Sequence, residues 1–398
     1  MSASIGEEPP APVKAGPTLV GGRRRFPVTE LATTAGAFVL ALLVGAVLIV
    51  VSDPEILALY GYFFDAPADA LSATFEKVGT AYAALAAGAF GSWEATANTL
   101  VESAPLICSG LAVALAFQAG LFNIGGQGQA IMGAMVSGFL GFQLHLPPVL
   151  HLVVCLVGGI VAGAIWGGIT GVLKAYTGAH EVITTIMLNY IAGALLAWGL
   201  STSLLQRPGR TDAISPVVDA NAQLPSLGGV HLGFVLALVA AAAVSLLLGR
   251  TTMGFRLRTV GANPDAARTA GMSVPSAVTV AMLLSGALAG LAGAQYTLGQ
   301  QLPLTDGIVG NVGFDGITVA LLGRGSPLGT VFAGILFGAL NAGGRHMQIV
   351  AQTPLTLSIV LQAVIVLFVA APALVRQIFR IRGRDTAEGT VLAKGWGS

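Results

Sequence analysis

Along this chain, long apolar runs alternate with short polar breaks. A helix that crosses a bilayer needs about 20 consecutive apolar residues. Runs of that kind fall at 31–51, 96–118, 127–144, 149–172, 182–202, 231–249, 277–298, 309–322, 327–343 and 355–372. They predict about ten transmembrane helices, the eighth short enough to read as broken or tilted. A transmembrane β-barrel would instead alternate apolar and polar positions over segments of about ten residues. The expected fold class is an all-α polytopic membrane protein.

Composition agrees. Of 398 residues, 55% are hydrophobic and 9% are charged, against about 25% charged in soluble domains. The net charge of +1 offers no basic excess, and no nucleic-acid partner is expected. Cys108 and Cys155 both fall in apolar runs and read as two buried thiols, with no disulfide framework to infer.

The placement of positive charge tests the span count, because cytoplasmic loops are enriched in Lys and Arg. With the N-terminus inside, Lys14, Arg23, Arg24, Arg25, Lys174, Arg250, Arg256, Arg258, Arg268, Arg324, Arg376, Arg380, Arg382, Arg384 and Lys394 are internal. Lys77, Arg207, Arg210 and Arg345 are external. Both termini are then cytoplasmic. Residues 1–30, polar and rich in Pro and Gly, are expected as a disordered tail ahead of an uncleaved first helix. Residues 376–398 form a second cytoplasmic tail. The segment 53–94 is external, and its part from Ala68 to Phe90 has helical periodicity, compatible with a helix along the outer surface.

Two polar, glycine-rich stretches interrupt the apolar pattern. The first is LFNIGGQGQA, residues 121–130. Irregular backbone at membrane depth survives only when buried in protein or lining a water-filled cavity. The stretch is therefore a cytoplasmic turn or a helix break inside the bundle. Asn123, Gln127 and Gln129 are either packing groups or the wall of a solute path. The second stretch, GNVGFDGITVALLGRGSPLG at residues 310–329, places the Asp315 carboxylate near membrane depth, where a charge is expensive. Interrupted segments in corresponding places of two halves point to an internal pseudo-repeat with the path between them. The fifth run opens HEVITTIMLNYIAG, and Glu181, Thr185 and Asn189 share one helical face. That face is aimed at a neighbouring helix or at solute. Phe117, Phe122 and Phe314 are candidate stacking surfaces.

Residues 250–276 are the longest internal polar segment. Asn263 can cap a helix that has Pro264 at its first position. Asp265 suits that N-terminus, Arg268 pairs with it at i,i+3, and the helix ends near Gly271. This grammar suits a docking element for a cytoplasmic partner.

Together, GLFNIGGQGQ, EVITTIMLNYIAG, the segment around Gly261–Gly271 and GFDGITVALLGRGSPLG resemble the ATP-binding cassette (ABC) importer permeases for simple sugars, branched-chain amino acids and nucleosides. The resemblance covers roughly residues 95–375 and is greatest to the nucleoside type. It implies a permease domain over 31–375. It implies a dimer of like or unlike permeases, two ATP-binding subunits below and an extracytoplasmic solute-binding protein above, in the plasma membrane. Arg256, Arg258, Gly261, Asn263, Pro264, Arg268 and Gly271 would seat in the ATPase. The substrate-path candidates are Asn123, Gln127, Gln129, Thr185, Asn189, Phe314 and Asp315. The chain has no G-x-x-x-x-G-K-[ST] loop, so ATP and Mg belong to the partner subunit. No catalytic or metal site is expected. The cargo expected is an uncharged polar solute, a nucleoside first and a pentose or inositol second. An ion-coupled carrier is the rival of a different class, and few intramembrane ionisable groups favour it.

Overall fold

The computed structural model describes residues 28–354 and 356–380. The two expected tails lie outside these residues except for their inner edges. The described chain is all-α apart from a hairpin that pairs Ser226–Leu227 with Val230–His231. In order, the helices are α1 Val28–Val51, α2 Pro54–Tyr60, α3 Pro67–Phe90, α4 Trp93–Gln118, α5 Gly126–Gln143, α6 Pro148–Thr177, α7 Glu181–Leu200 and α8 Gly233–Arg250. They continue as α9 Thr252–Ala262, α10 Pro264–Thr269, α11 Val274–Leu298, α12 Val312–Leu322, α13 Pro327–Ala351, α14 Thr356–Ala370 and α15 Pro372–Ile378.

Each apolar run of the sequence coincides with a helix. Seven helices are long and apolar enough to cross a membrane unaided: α1, α4, α6, α7, α8, α11 and α13. Of the other three, α5 equals α8 in length at 18 residues but is less apolar, and α12 and α14 are shorter, with 11 and 15 residues. At 1.5 Å per residue α12 reaches about 16 Å, half a hydrocarbon core.

The centre of the bundle is built by glycine. In lipid, helices gain little from burying apolar surface and associate through close backbone approach at small residues. α6 carries Gly159, Gly163, Gly167 and Gly171 at four-residue spacing, and this face packs on Gly286 and Gly290 of α11. A Cβ at Gly163 would overlap the carbonyl oxygen of Gly286 and lie 2.8 Å from the Gly290 nitrogen. Gly133 of α5 meets Gly290 in the same way. α4 and α13 form a second antiparallel pair, in which Gly110, next to Thr330, and Gly334 and Gly338, next to Ile107 and Ser103, let the two helices close up.

α3 stands antiparallel to α1 and to the end of α13. Ala81 and Ala84 share one core cluster with Ile49 and Met347, and Gly88 lies against Gly343 and His346. Its place is therefore alongside the bundle helices. Asp53, which caps α2 through the Glu55 and Ile56 N–H groups, receives the Lys77 ammonium at 2.6 Å. That lysine holds the Asp53 carboxyl below the usual carboxylate range.

α13 runs past the end of its apolar run. The apolar run ends at 343, which puts Arg345 in an external loop, yet α13 continues for two more turns to Ala351. Arg345 sits within the helix, 3.0 Å from the Glu102 carboxylate of α4. Local hydropathy does not register this pairing between distant helices. Cys108 and Cys155 are both buried and free.

Candidate translocation site

α4 ends at Gln118, where Gly120 takes φ +71° and the Leu121 N–H donates back to the Ala116 carbonyl. This left-handed glycine closure is a common helix terminus. The chain then turns back into the bundle. Asn123 donates to Ser285 Oγ at 2.7 Å, and that serine donates to the carbonyl of Ala112 at 2.7 Å. Ala112 lies six residues before Gln118, so Asn123 has climbed about 9 Å back along α4. The stretch is thus a turn followed by re-entrant backbone, and α5 begins inside the bundle.

Its polar groups are held internally. Asn123 also donates to Gln129 Oε1 at 3.0 Å and accepts from the Gly125 N–H at 2.9 Å. Gln129 returns a bond to Asn123 at 3.2 Å. Asn189 of α7 accepts from the Gly128 N–H at 2.8 Å and donates to the Ile124 carbonyl at 3.0 Å. Thr185 donates to the Glu181 carbonyl and is fully buried. Glu181 is closed off by Lys174 at 2.8 Å. The amides of Asn123, Gln129 and Asn189 and the hydroxyl of Thr185 therefore hold the α5 entry in place through bonds within the protein. Replacing Asn189 with Ala is expected to leave the Gly128 N–H without a partner and lower stability by about 1–3 kcal/mol. Thermal unfolding of the purified protein measures this, and solute preference should not move.

Gln127 bridges the two interrupted regions. Its Nε2 donates to the Gly310 carbonyl at 2.6 Å, and its Oε1 accepts from the Gly313 N–H at 2.9 Å. The starts of α5 and α12 therefore meet, with Gly126 against Gly313. Beside this junction Phe314 is 43% exposed on the protomer. The carboxylate of Asp315, half-buried in the first turn of α12, has no hydrogen bond or ion pair among the described residues. Tyr296 of α11 lies within electrostatic reach of Asp315, Glu102 and Arg345. These four side chains come from α4, α11, α12 and α13. Arg345 also lines a polar cleft of about 360 Å³ together with Ser92, Glu94, Asn98 and His346.

The family described as branched-chain amino acid transport system, permease component, matches residues 95–370. The chain belongs to this family. A guanosine ABC transporter permease of Bacillus subtilis is 40% identical over 308 residues, covering 75% of this chain and 88% of its own length. A nucleoside ABC transporter permease of Lactococcus lactis is 34% identical, covering 71% and 81%. A glucose ABC transporter permease of Haloferax volcanii is 34% identical, covering 68% and 74%. The chain is thus a multi-pass membrane permease component and not an enzyme.

In this permease the polar segment 250–276 holds two helices where the sequence pattern indicates one. α10 is capped as its sequence predicts. Asn263 Oδ1 accepts from the N–H groups of Asp265 and Ala266 at 3.0 Å, Pro264 occupies the first turn, and Arg268 meets Asp265 at 2.9 Å. Gly271, at φ +78°, closes it. The unexpected helix is α9, which buries Leu257 and Val260 and leaves Arg256 and Arg258 exposed. Its low hydrophobicity and paired arginines imitate a loop. Gly261, in its last turn, rests directly on Gln118, Ala119 and Gly120, so the segment touches the backbone that leads into α5. The sequence pattern leaves Tyr296 and Arg345 out of the candidate site. Each is a single polar residue in an apolar run, and only the contact between distant helices assembles them.

Proposed function

We propose that this permease is the membrane subunit of an ATP-driven importer that moves nucleosides across the plasma membrane. The observation that carries the substrate is its likeness, over about three quarters of the chain, to a permease named for guanosine. Guanosine and glucose, two of the solutes in the relatives' names, both present adjacent hydroxyl groups. A simple sugar is therefore the second reading. Partners follow from the family: an ATP-binding subunit that holds ATP and Mg, a solute-binding protein outside and a second permease, identical or not.

In this reading ten segments cross or enter the membrane, with α5 and α12 as the counterpart interrupted segments of a pseudo-repeat. Both termini face the cytoplasm, and α9–α10 meet the ATPase with Arg256, Arg258, Asn263, Pro264 and Arg268 outward. ATP binding draws the ATPase subunits together and shifts α9. Gly261 passes the shift to the turn at Gln118–Gly120 and so to the start of α5. Gln127 carries it to α12, where Phe314 and Asp315 lie open to solute.

Cells with and without this chain should differ in uptake of radiolabelled guanosine and uridine. Deletion is expected to remove uptake, and excess unlabelled adenosine should compete where leucine does not. Uptake that survives deletion, in cells with no second nucleoside importer, would overturn the nucleoside assignment.

A further inference from the structure

We propose that the cleft between the start of α4 and the end of α13 is the first holding site for the cargo on the permease, built for an uncharged solute rich in hydrogen-bond donors and acceptors, such as a nucleoside. The proposal rests on the nucleoside reading above and on the orientation given with it, which turns this end of the two helices outward.

The cleft measures about 360 Å³, within the range of roughly 300–1,000 Å³ found for small-molecule sites. Its polar lining comes from two helices that are far apart in the chain: Ser92 at the cap of α4 with Glu94 and Asn98 in its first turns, and Arg345 and His346 of α13. Glu94 and Asn98 lie one turn apart on one helical face, and Glu102 follows at the same spacing. Two of the lining groups are engaged. The Ser92 hydroxyl accepts from the Ala95 N–H, and Arg345 meets Glu102. The side chains of Glu94, Asn98 and His346 have no hydrogen bond or ion pair among the described residues.

These three offer a carboxylate that accepts, an amide that donates and accepts, and an imidazole that does both when neutral. A nucleoside presents both kinds of group, on its base edge and on its ribose. Charge narrows the class further. Glu102 balances Arg345, so the Glu94 carboxylate is the charge left open in the cleft. A nucleotide phosphate would meet like charge there, and an uncharged nucleoside would not.

Unpaired polar groups are ordinary on a solvated surface, but these continue inward. Glu102 lies about 12 Å further along α4 than Glu94. Tyr296 of α11 is within electrostatic reach of Glu102, Arg345 and Asp315. A file of polar side chains thus runs from the cleft toward the junction of α5 and α12. Ionisable side chains on membrane helices face protein or a water-filled space rather than lipid. Open, partly hydrated groups hold a solute loosely, and a station on a path must release what it binds.

The test begins with the permease and its ATP-binding subunit in proteoliposomes, without the solute-binding protein. The probe is the photoreactive nucleoside 8-azidoguanosine. Irradiation is expected to label peptides from residues 87–98 or 342–349. Excess guanosine should remove the label, and guanosine 5′-monophosphate should not. Asn98→Leu should lower labelling about tenfold, the scale of one lost hydrogen bond of ordinary strength. With the loaded binding protein added, guanosine transport by Asn98→Leu should fall similarly while stimulation of ATP hydrolysis stays native. Gln348→Leu makes the same exchange at an exposed position of α13 outside the cleft and should change none of these. Label confined to other segments, or native labelling of Asn98→Leu, overturns the proposal. Loss of ATPase stimulation together with transport also overturns it and makes the cleft a seat for the binding protein. Failure of the nucleoside reading looks different: the native importer moves glucose and no guanosine. The same variants are then read by glucose transport, and a native rate in Asn98→Leu overturns the proposal.

Discussion

Gly163→Ala is expected to prevent the permease from accumulating as a folded protein, although it adds one methyl group. The methyl would occupy the position of the Gly286 carbonyl oxygen and crowd the Gly290 backbone. These are backbone atoms of a facing helix, so no side chain can rotate away. α6 and α11 would have to separate along the whole contact that includes Gly159 and Gly167. Overpacking of a close-fitting core costs about 1–3 kcal/mol and more where backbone must move. In a membrane bundle the loss extends to every small-residue contact along the seam. Gly193→Ala is the matching control, because nothing lies within 4 Å of its added methyl on α7. Removing a helical glycine there should stabilise slightly, by about 0.5–1 kcal/mol. Size-exclusion profiles and thermal unfolding of both variants in detergent measure the contrast. A Gly163→Ala protein that melts with the native one would show that the two helices are not in backbone contact.

The second large effect is expected at Gly261. Gly261→Val places a branched side chain against the Gln118 carbonyl and within 2.7 Å of the Ala119 carbonyl carbon. α9 is held otherwise by Leu257 and Val260, which pack into the cluster containing Leu115, Ala116 and Ala119. The substitution lifts the end of α9 without removing those contacts. Inserted permease should persist while ATP-driven uptake falls at least about tenfold, a change of about 1.4 kcal/mol in the coupled step. ATP hydrolysis by the assembled importer should continue without transport. Asn263→Ala is expected to act more gently, since loss of an N-cap weakens a helix by about 1 kcal/mol. Uptake and hydrolysis measured on the same proteoliposomes separate the two effects. Transport at the native rate in Gly261→Val would remove the contact from the coupling path.

Much of this architecture is legible in the chain. Apolar run length marks ten of the helices, and the Asn263-Pro264 pair marks the start of α10 to the residue. The failures share one physical cause, that a polar side chain does not reveal its partner. Asn123 and Gln129 look like pore-lining amides, yet they bond each other and Ser285. Arg345 looks like a lone charge past the end of an apolar run, yet it pairs with Glu102, more than 240 positions earlier. α9 looks like a loop because only Leu257, Val260 and its glycines face protein. Asp315 stands in the sequence as a charge out of place, and of Glu102, Glu181 and Asp315 it is the one whose carboxylate has no partner among the described residues.

The Gln127 bridge fixes how much motion is lost between the two ends of this chain. Gly261 touches backbone at Gln118–Gly120, the re-entrant stretch is tied by short amide bonds, and a single side chain fastens α5 to α12 at both of its polar atoms. No long, freely rotating side chain intervenes. Such a linkage has little backlash, so in the proposed cycle the stroke delivered at Phe314 and Asp315 would be set by the stroke applied at α9. Exchange of Gln127 for Glu would keep the acceptor for Gly313 and lose the donor to Gly310, leaving one joint of the bridge loose.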